Sequence, residues 1–348
     1  MTLIAALVTF LSYTKSHWEY SGCFTSIVFS SDGSRMLTRV GGGNMMILWD
    51  VNTGREIRTI GGVGADHIAF SPDGHKAVTG GGNGVNAITI LWNLDSGKPI
   101  HLFEGSFLSH PPISDTCVDF SSDGHYILSA ELEESIILWD AHTYEKVRSF
   151  LTDSNMTGTS KGRIHSIKFS PDGRFALSAG DRLILWNVET GRISRIFKGK
   201  KNASHVNAII SLDGRFVMSG GWDRKFNNLI IWSMESGEPL QSIHLEYVPE
   251  IISFSPDGRF SVTGRKYSSD SIEVWDIEKR ALSIAIPIPK GKEGVSFSMS
   301  PDSRKAAIGF CGRLELWDIE TGKIILTFRP EPTLPLILLD TILKYVKI

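Results

Sequence analysis

The sequence predicts an all-β protein: a seven-bladed β-propeller with four antiparallel strands in each blade and a short C-terminal helix or tail. Three observations lead to this prediction. A turn tetrapeptide of the form Ser-(Pro/Ser/Leu)-Asp-Gly recurs along the chain. A Trp follows each copy, and successive Trp residues of this series are 42 to 47 residues apart. Short apolar segments lie between the turns. A fixed period in this range is typical of repeat architectures, and four short strands per unit are typical of propeller blades.

The turn tetrapeptide marks the same point of every repeat. Pro presets the backbone at its second position, Asp is tolerated at the third, and Gly adopts positive φ at the fourth, so each copy predicts a tight turn between two strands. The copies begin at Ser30, Ser71, Ser121, Ser170, Ser211, Ser255 and Ser300, and the last one ends in Ser303 instead of Gly. The Trp residues that follow them are Trp49, Trp92, Trp139, Trp186, Trp232, Trp275 and Trp317.

The fourth repeat shows how each blade is divided into strands. RIHSIKF, ending at Phe169, alternates apolar and polar residues, as a half-buried first strand does. After the turn, RFALSA and RLILWNV supply the second and third strands, ETGR supplies another turn, and ISRIF supplies the fourth strand. The same division places the blades at about residues 21–60, 61–103, 113–150, 163–197, 204–243, 248–286 and 293–328 of a single domain, 1–348, with an apolar tail at 335–348.

The end of the third strand resembles the signature of the WD-repeat β-propellers. This strand ends in Leu-Trp-Asp three times, in Val-Trp-Asp once and in Trp-Asn twice, and only Trp232 departs from the pattern because Ser233 follows it. The resemblance covers about residues 21–328. It implies a rigid ring that holds partner proteins and has no catalytic activity.

The resemblance also implies a hydrogen-bond network of His, Ser or Thr, Trp and Asp in each blade. A hydroxyl residue lies five positions after each of the first six turns, at Thr38, Thr79, Ser129, Ser178, Ser219 and Thr263. Ile308 takes this place in the seventh blade, and the His is largely missing, so we expect a partial network. In blade 4 we expect Ser178, Asp181 and Trp186 to form it, and we expect blade 7 to lack it.

Two segments compete to complete the seventh blade. Leu7 to Gly33 aligns without a gap to Val147 to Gly173 of another repeat, so Leu3 to Phe10 is interpreted as a fourth strand. Lys323 to Phe328 is interpreted as a fourth strand too. WD-repeat propellers commonly close with the N-terminal strand. A local hairpin closes a much shorter loop, however, and is favoured by about 3–4 kcal/mol on the logarithmic loop law. We therefore expect Lys323–Phe328 to complete blade 7. The N-terminal strand would then add outside this blade or be a remnant of a longer array.

Composition excludes several classes of function. The 36 basic and 38 acidic residues nearly cancel, so a nucleic-acid partner is not expected. The longest apolar run, LIAALVTFL, is shorter than the roughly 20 residues of a membrane span. Three Cys residues without a CxxC pair indicate reduced thiols in a cytoplasmic protein, with no metal site. No cofactor motif such as a P-loop occurs, and no enzyme is expected.

The repeated Asp and Trp residues could be mistaken for a catalytic site. Seven Asp residues at equivalent turns of a ring do not converge on one substrate, so they are interpreted as turn residues. The Trp residues, at a fixed position of a strand, are interpreted as packing between blades rather than as stacking platforms.

The spacing within the repeats predicts which face recognises partners. First and third turns keep their lengths, whereas second turns and the connections between blades vary, and these two groups lie at opposite ends of an up-and-down sheet. Variable loops of repeat proteins often form the binding face. The candidate partner-binding residues there are Phe107, Leu108, Lys200, Lys201, Trp222 and Arg224.

We therefore expect a monomeric, non-catalytic scaffold that binds other proteins or peptides through this face. The alternative is a ligand-binding or hydrolytic propeller with a site in the central channel. A convergent cluster of acids, His or Arg in the channel would favour the enzyme.

Overall fold

The computed structural model describes most of the repeat array. The described residues are 23–41, 45–61, 66–82, 87–103, 116–130, 136–150, 164–197, 204–222, 227–245, 251–255, 259–264, 271–279, 281–288 and 296–328. The N-terminal segment Leu3–Phe10 and the apolar tail at 335–348 lie outside these ranges.

Twenty-eight strands follow one another along the chain. The first four blades contain β1 (Phe24–Phe29), β2 (Arg35–Val40), β3 (Met45–Asp50), β4 (Glu56–Gly61), β5 (His67–Phe70), β6 (Lys76–Gly82), β7 (Ala87–Asn93), β8 (Lys98–Phe103), β9 (Cys117–Phe120), β10 (Tyr126–Ala130), β11 (Ile136–Asp140), β12 (Lys146–Phe150), β13 (Ile164–Phe169), β14 (Phe175–Gly180), β15 (Leu183–Asn187) and β16 (Ile193–Phe197). The last three contain β17 (Ser204–Ile210), β18 (Phe216–Trp222), β19 (Asn227–Ser233), β20 (Pro239–Leu245), β21 (Ile251–Phe254), β22 (Phe260–Gly264), β23 (Ser271–Asp276), β24 (Ala281–Pro287), β25 (Ser296–Met299), β26 (Lys305–Phe310), β27 (Arg313–Asp318) and β28 (Lys323–Phe328).

The strands form seven antiparallel sheets, each made of four consecutive strands, which confirms the predicted seven-bladed propeller. The first strand of every blade contacts the first strands of both neighbouring blades, and this includes β1 with β25. First strands therefore surround the axis, and fourth strands form the outer rim. In blade 7 the outer strand is Lys323–Phe328, so the local hairpin expected from the loop-closure argument is confirmed.

Every blade has a register shift at its repeated Trp. The shift lies between the Trp and the residue before it, where the third strand pairs with the fourth, as at Leu185/Trp186 and likewise in the six other blades. A bulge of this kind increases the local twist of a strand. The repeated position of the Trp thus coincides with a repeated bend in the backbone.

The hydrophobic core lies between blades, and the repeated Trp residues belong to it. Trp186 packs with blade 3 residues such as Phe150 in one buried cluster, and their ring centroids are 6.0 Å apart. Equivalent pairs join Trp49 to Phe328, Trp139 to Phe103 and Trp232 to Phe197. The last apolar residue of one fourth strand thus meets the Trp of the next blade, as the packing interpretation requires.

The ring closes where blade 7 meets blade 1. Phe24 and Ile27 of blade 1 share a buried cluster with Leu314, Leu316 and Phe328 of blade 7. A disulfide joins Cys23 to Cys311 at the same place. The expectation that all three thiols are reduced is therefore wrong, because folding brings together two cysteines that no local spacing connects.

Candidate functional site

The propeller has two faces with different properties. The fixed-turn face is the end of the strands where the first and third turns of each blade lie, and the variable-loop face is the opposite end. First turns are five residues long in every blade, and third turns have four or five. Second turns range from two to six residues, and the connections between blades range from five to thirteen.

In six blades the first turn is held by its own Ser and Asp. In blade 4, Ser170 Oγ donates to Asp172 Oδ1 over 2.6 Å and accepts the Phe175 amide over 2.9 Å. Asp172 Oδ1 also accepts the Arg174 amide, and the Gly173 amide donates to the Ser170 carbonyl. Equivalent Ser–Asp bonds occur in blades 1, 2, 3, 5 and 7. Asp172 is therefore part of the turn framework.

These hydrogen bonds keep the turn carboxylates ionised. Hydrogen bonds from the Ser30 and Ser34 hydroxyls lower the pKa of Asp32 to about 2. Burial by itself would raise the pKa of Asp172, but hydrogen bonds from Ser170 and Arg174 bring it below its ordinary value. A carboxylate of this kind is already occupied as an acceptor and is a poor general acid.

The residue after each Trp holds the third turn. Asp50 Oδ1 accepts the Thr53 amide over 2.8 Å, and Asn187 Oδ1 accepts the Thr190 amide over 2.7 Å. In blade 5, where Ser233 follows the Trp in place of Asp or Asn, Ser233 Oγ accepts the Ser236 amide over 3.1 Å. Asp, Asn and Ser all supply a short side-chain oxygen at this point. This role explains the Trp-Asp signature and its variants, and the repeat pattern alone did not reveal it.

In six blades the Trp indole donates a hydrogen bond to the hydroxyl five residues after the first turn. The Nε1–Oγ distance from Trp186 to Ser178 is 2.9 Å. The other pairs are Trp49–Thr38, Trp92–Thr79, Trp139–Ser129, Trp232–Ser219 and Trp275–Thr263, at 2.9 to 3.1 Å. Each bond ties the third strand to the second within a blade.

Blade 7 uses a different acceptor. Trp317 Nε1 donates to Glu315 Oε2 over 3.0 Å, and the Arg313 Nε pairs with the other carboxylate oxygen. Glu315 lies directly opposite Ile308 across the β26–β27 ladder. Thr38 and Ile47 are opposite each other in the same way in blade 1. In blade 7 the polar residue of the pair lies on the third strand and the apolar residue on the second strand, the reverse of blade 1. The Trp317 indole therefore keeps a hydrogen-bond acceptor although the hydroxyl residue is missing.

Asp181 takes no part in the blade 4 network. It is exposed in the two-residue turn between β14 and β15, and among the described residues no hydrogen bond to its side chain is seen. The turn is so short that the Gly180 amide bonds to the Arg182 carbonyl across it. This leaves the Asp181 side chain on the solvent side of the hairpin.

The first strands around the axis carry few ionisable side chains. Lys168 Nζ lies 2.9 Å from Asp119 Oδ1, and Asp119 Oδ2 also accepts the Phe169 amide. His67 Nε2 lies 3.6 Å from the sulfur of Cys117, which is buried. Within the described residues, no group of three or more His, Cys, Asp or Glu could hold a metal ion. The channel alternative is therefore not favoured.

Most of the candidate partner-binding residues cannot be placed. Phe107, Leu108, Lys200, Lys201 and Arg224 lie outside the described residues. The backbone of Trp222 is at the end of β18, paired with Ser204 and Asn227 at the variable-loop face.

A cleft is present on the fixed-turn face. It lies between blades 4 and 5, has a volume of ≈ 640 Å³, and is lined by Pro171, Arg174, Leu212, Arg215 and Met234, among others. The side chains of Arg174 and Arg215 are 75% and 72% exposed, and each pairs with the Asp of its own turn.

The described part of the chain contains no helix with the length and apolarity to cross a membrane.

The chain forms seven four-stranded blades, and the repeated Trp of each blade donates a hydrogen bond within that blade, which defines a β-propeller with a Trp repeat. The WD domain, G-beta repeat family matches residues 97–140 and 152–186. This match and the relatives named below support a WD-repeat β-propeller.

Several curated proteins are similar to this chain. Protein tipD of Dictyostelium discoideum is 26% identical over 266 residues, which cover 74% of this chain and 40% of tipD. Apoptotic protease-activating factor 1 of Rattus norvegicus is 28% identical over 62% of this chain and 17% of its own length. MST50-interacting protein 11 of Pyricularia oryzae is 28% identical over 55% of this chain and 71% of its own length. The chain thus spans less than half the length of the first two relatives.

Proposed function

We propose that this propeller is a non-catalytic scaffold that binds other proteins or peptides through its variable-loop face. WD-repeat propellers in general mediate protein interactions. The name of MST50-interacting protein 11 states such an interaction for that relative. The cytoplasmic location and the monomeric state expected from the sequence stay predictions.

The difference between the two faces carries the proposal. First turns have one length and one internal hydrogen-bond pattern, so they form a repeated frame. The connections between blades differ by up to eight residues, and all of them start and end at the opposite face. A rigid scaffold that presents loops of different length and composition is the common arrangement for recognition.

The chemistry of the described groups supports a role without catalysis. The turn carboxylates are ionised and already accept two or more hydrogen bonds, and the repeated Trp rings are buried in blades 1 to 5 and partly buried in blades 6 and 7. Asp119, an acid on one of the first strands, is engaged by Lys168 and by a backbone amide. These groups have structural partners and are not arranged around a shared substrate position.

The composition of the variable connections indicates a protein partner. Phe107 and Leu108 belong to the 13-residue connection between Phe103 and Cys117. Trp222 and Arg224 belong to the β18–β19 hairpin. Aromatic and Arg side chains dominate the energetics of protein interfaces, and basic residues such as Lys200 and Lys201 assist encounter with an acidic partner.

Paired alanine substitutions test the proposal. The variants are Phe107→Ala/Leu108→Ala, Lys200→Ala/Lys201→Ala and Trp222→Ala/Arg224→Ala. Proteins captured from the source cell by the wild type are identified, and the affinity of each purified partner for every variant is measured by calorimetry. At least one pair is expected to weaken binding by about 10-fold or more.

The cleft between blades 4 and 5 supplies the matched control. Arg174→Ala/Arg215→Ala also removes two large exposed side chains, but on the fixed-turn face. This variant is expected to bind every partner as the wild type does. If it loses binding while the three variable-loop variants keep it, the recognition face is the opposite one and the proposal is wrong.

A further inference from the structure

The junction between blade 7 and blade 1 differs from the six others in how the chain crosses it. At each of the six other junctions, the polypeptide itself passes from one blade to the next. Blades 7 and 1 contain strands β25–β28 and β1–β4, and no described strand is shared between their sheets. In the described part of the chain, the Cys23–Cys311 disulfide is the covalent link at this junction.

The local structure brings the two cysteines together. Cys23 directly precedes β1, Cys311 lies in the two-residue turn between β26 and β27, and the two residues form an isolated antiparallel bridge. Gly309 permits the close approach, because a Cβ at this position would come within 2.6 Å of the Phe24 Cβ. Both cysteines are partly exposed, so a small thiol in solution can reach the bond.

We propose that Cys23 and Cys311 form a redox-responsive clasp that holds the propeller ring closed. In the closing reaction, one thiolate attacks a small-molecule disulfide of the glutathione class, forms a mixed disulfide and releases one thiolate. The second cysteine then attacks the mixed disulfide, forms the Cys23–Cys311 bond and releases the second small thiolate. Opening is the reverse exchange with two small thiols.

The clasp acts on one junction because the other six stay tethered by the peptide chain. It closes a segment with a sequence separation of 288 residues, and long closed loops gain the most from a cross-link in the chain-entropy account. When the bond is reduced, non-covalent contacts hold blades 1 and 7 together, among them the packing of Phe24 and Ile27 with Leu314 and Phe328. The reduced ring therefore opens at this junction before it opens elsewhere.

The third cysteine provides an internal control. Cys117 is only 1% exposed and packs in the core between blades 3 and 4, far along the ring from the clasp. It is too buried to exchange with a small disulfide in the folded protein. A redox response of the folded chain is therefore assigned to the Cys23–Cys311 pair.

Peptide mapping tests the bond itself. The full chain is equilibrated in buffers of defined reduced and oxidised glutathione, quenched with an alkylating reagent and digested without reduction. The oxidised sample is expected to yield a peptide pair that links Cys23 to Cys311, and this pair should disappear in the reduced sample. No linked pair at any glutathione ratio, or linkage of either cysteine to Cys117, would overturn the proposal.

Hydrogen exchange and melting temperature test the clasp function. Reduction of the wild type is expected to lower the Tm by about 5–10 °C. It should also speed exchange in β1 and in the β26–β27 hairpin at least about 10-fold, with blade 4 unchanged. The Cys23→Ser/Cys311→Ser variant should behave as the reduced protein under both conditions, and Cys117→Ala should keep the response to reductant.

Two results would contradict the clasp. An equal Tm for the oxidised and reduced wild type would show that the bond does not hold the ring. An equal rise in exchange across all seven blades would show a general loss of stability without a preferred opening. Because the wild type is compared with itself, these outcomes do not depend on whether a variant folds.

Discussion

The exchange of the polar and apolar residues Glu315 and Ile308 in blade 7 leads to a prediction about the hydrogen-bond partner of Trp317. In blade 7 the indole of Trp317 donates to Glu315, which lies opposite Ile308. In blade 1 the indole donates to Thr38, which lies opposite Ile47. The perturbation is to restore the blade 1 arrangement in blade 7, first one residue at a time and then both together.

The structure sets the magnitude for each single change. The Glu315 side chain is only 3% exposed, so Glu315→Ile leaves the Trp317 N–H without an acceptor and costs about 1–3 kcal/mol. Arg313 also loses its partner, but its side chain is 45% exposed and water replaces the carboxylate at little cost. Ile308→Thr places a hydroxyl among buried neighbours while the indole still bonds Glu315, and it also costs about 1–3 kcal/mol.

The double variant is expected to recover stability. Ile308→Thr/Glu315→Ile supplies a hydroxyl acceptor opposite an Ile, as in blade 1, so the two costs should not add. A double-mutant cycle from equilibrium urea unfolding should give a favourable coupling of about 1–3 kcal/mol. Hydrogen exchange of β26 and β27 should show that the gain lies in blade 7.

The outcome that would refute this reasoning is simple additivity. If the double variant is as unstable as the sum of the two single variants, the hydroxyl cannot replace the carboxylate. Glu315 would then stabilise blade 7 through Arg313 rather than through the indole. Glu315→Gln separates these roles, because an amide oxygen still accepts from Trp317 but carries no charge.

Three further predictions concern single positions and are checked by thermal unfolding. Ser178→Ala leaves the buried Trp186 N–H without its acceptor and should cost about 1–3 kcal/mol of stability. Asp181→Ala changes an exposed side chain and should alter stability by less than about 0.5 kcal/mol. Equal effects of the two substitutions would contradict the assignment of Ser178, and not Asp181, to the hydrogen-bond network. Ser303 adopts a φ of 61° where the other described first turns have Gly, so Ser303→Gly should stabilise the protein by up to about 1 kcal/mol, and a lower Tm would argue against backbone strain there. The folded pKa of Asp32 is about 2, below its unfolded value, so the stability that its ionised carboxylate contributes is present above about pH 4 and is lost as the pH falls towards 2. Asp32→Asn should flatten this part of the Tm–pH profile. An unchanged slope would contradict the prediction.

Local patterns identified the framework because its parts act over short distances along the chain. The tetrapeptide at Ser170 predicts a turn, and the turn forms with Ser170 bonded to Asp172 two residues away. The spacing from Ser178 to Trp186 predicts adjacent strands, and the indole and hydroxyl meet at 2.9 Å. Because the same turn and the same strand spacing recur in successive blades, the repeat pattern predicts the propeller more specifically than any single residue does.

Other features were missed although their signals were present in the sequence. Glu315 stands two residues before Trp317, where blade 1 has Ile47, and an alignment of the repeats at this position would have marked it. The place of Asp181 before the third strand predicts that it joins the blade 4 network, and this prediction is wrong. The two-residue turn directs its side chain to solvent, and the order of residues does not specify that direction.

The sequence by itself determined the number of blades, the strand order within each blade and the division into a constant and a variable face. These properties follow from turns and alternation within about 45 residues, which act before distant parts of the chain meet. Tertiary structure alone decided the covalent link between the first and last blades. Cys23 and Cys311 are separated by 288 residues, and they meet only because seven blades of fixed twist bring the last blade back against the first.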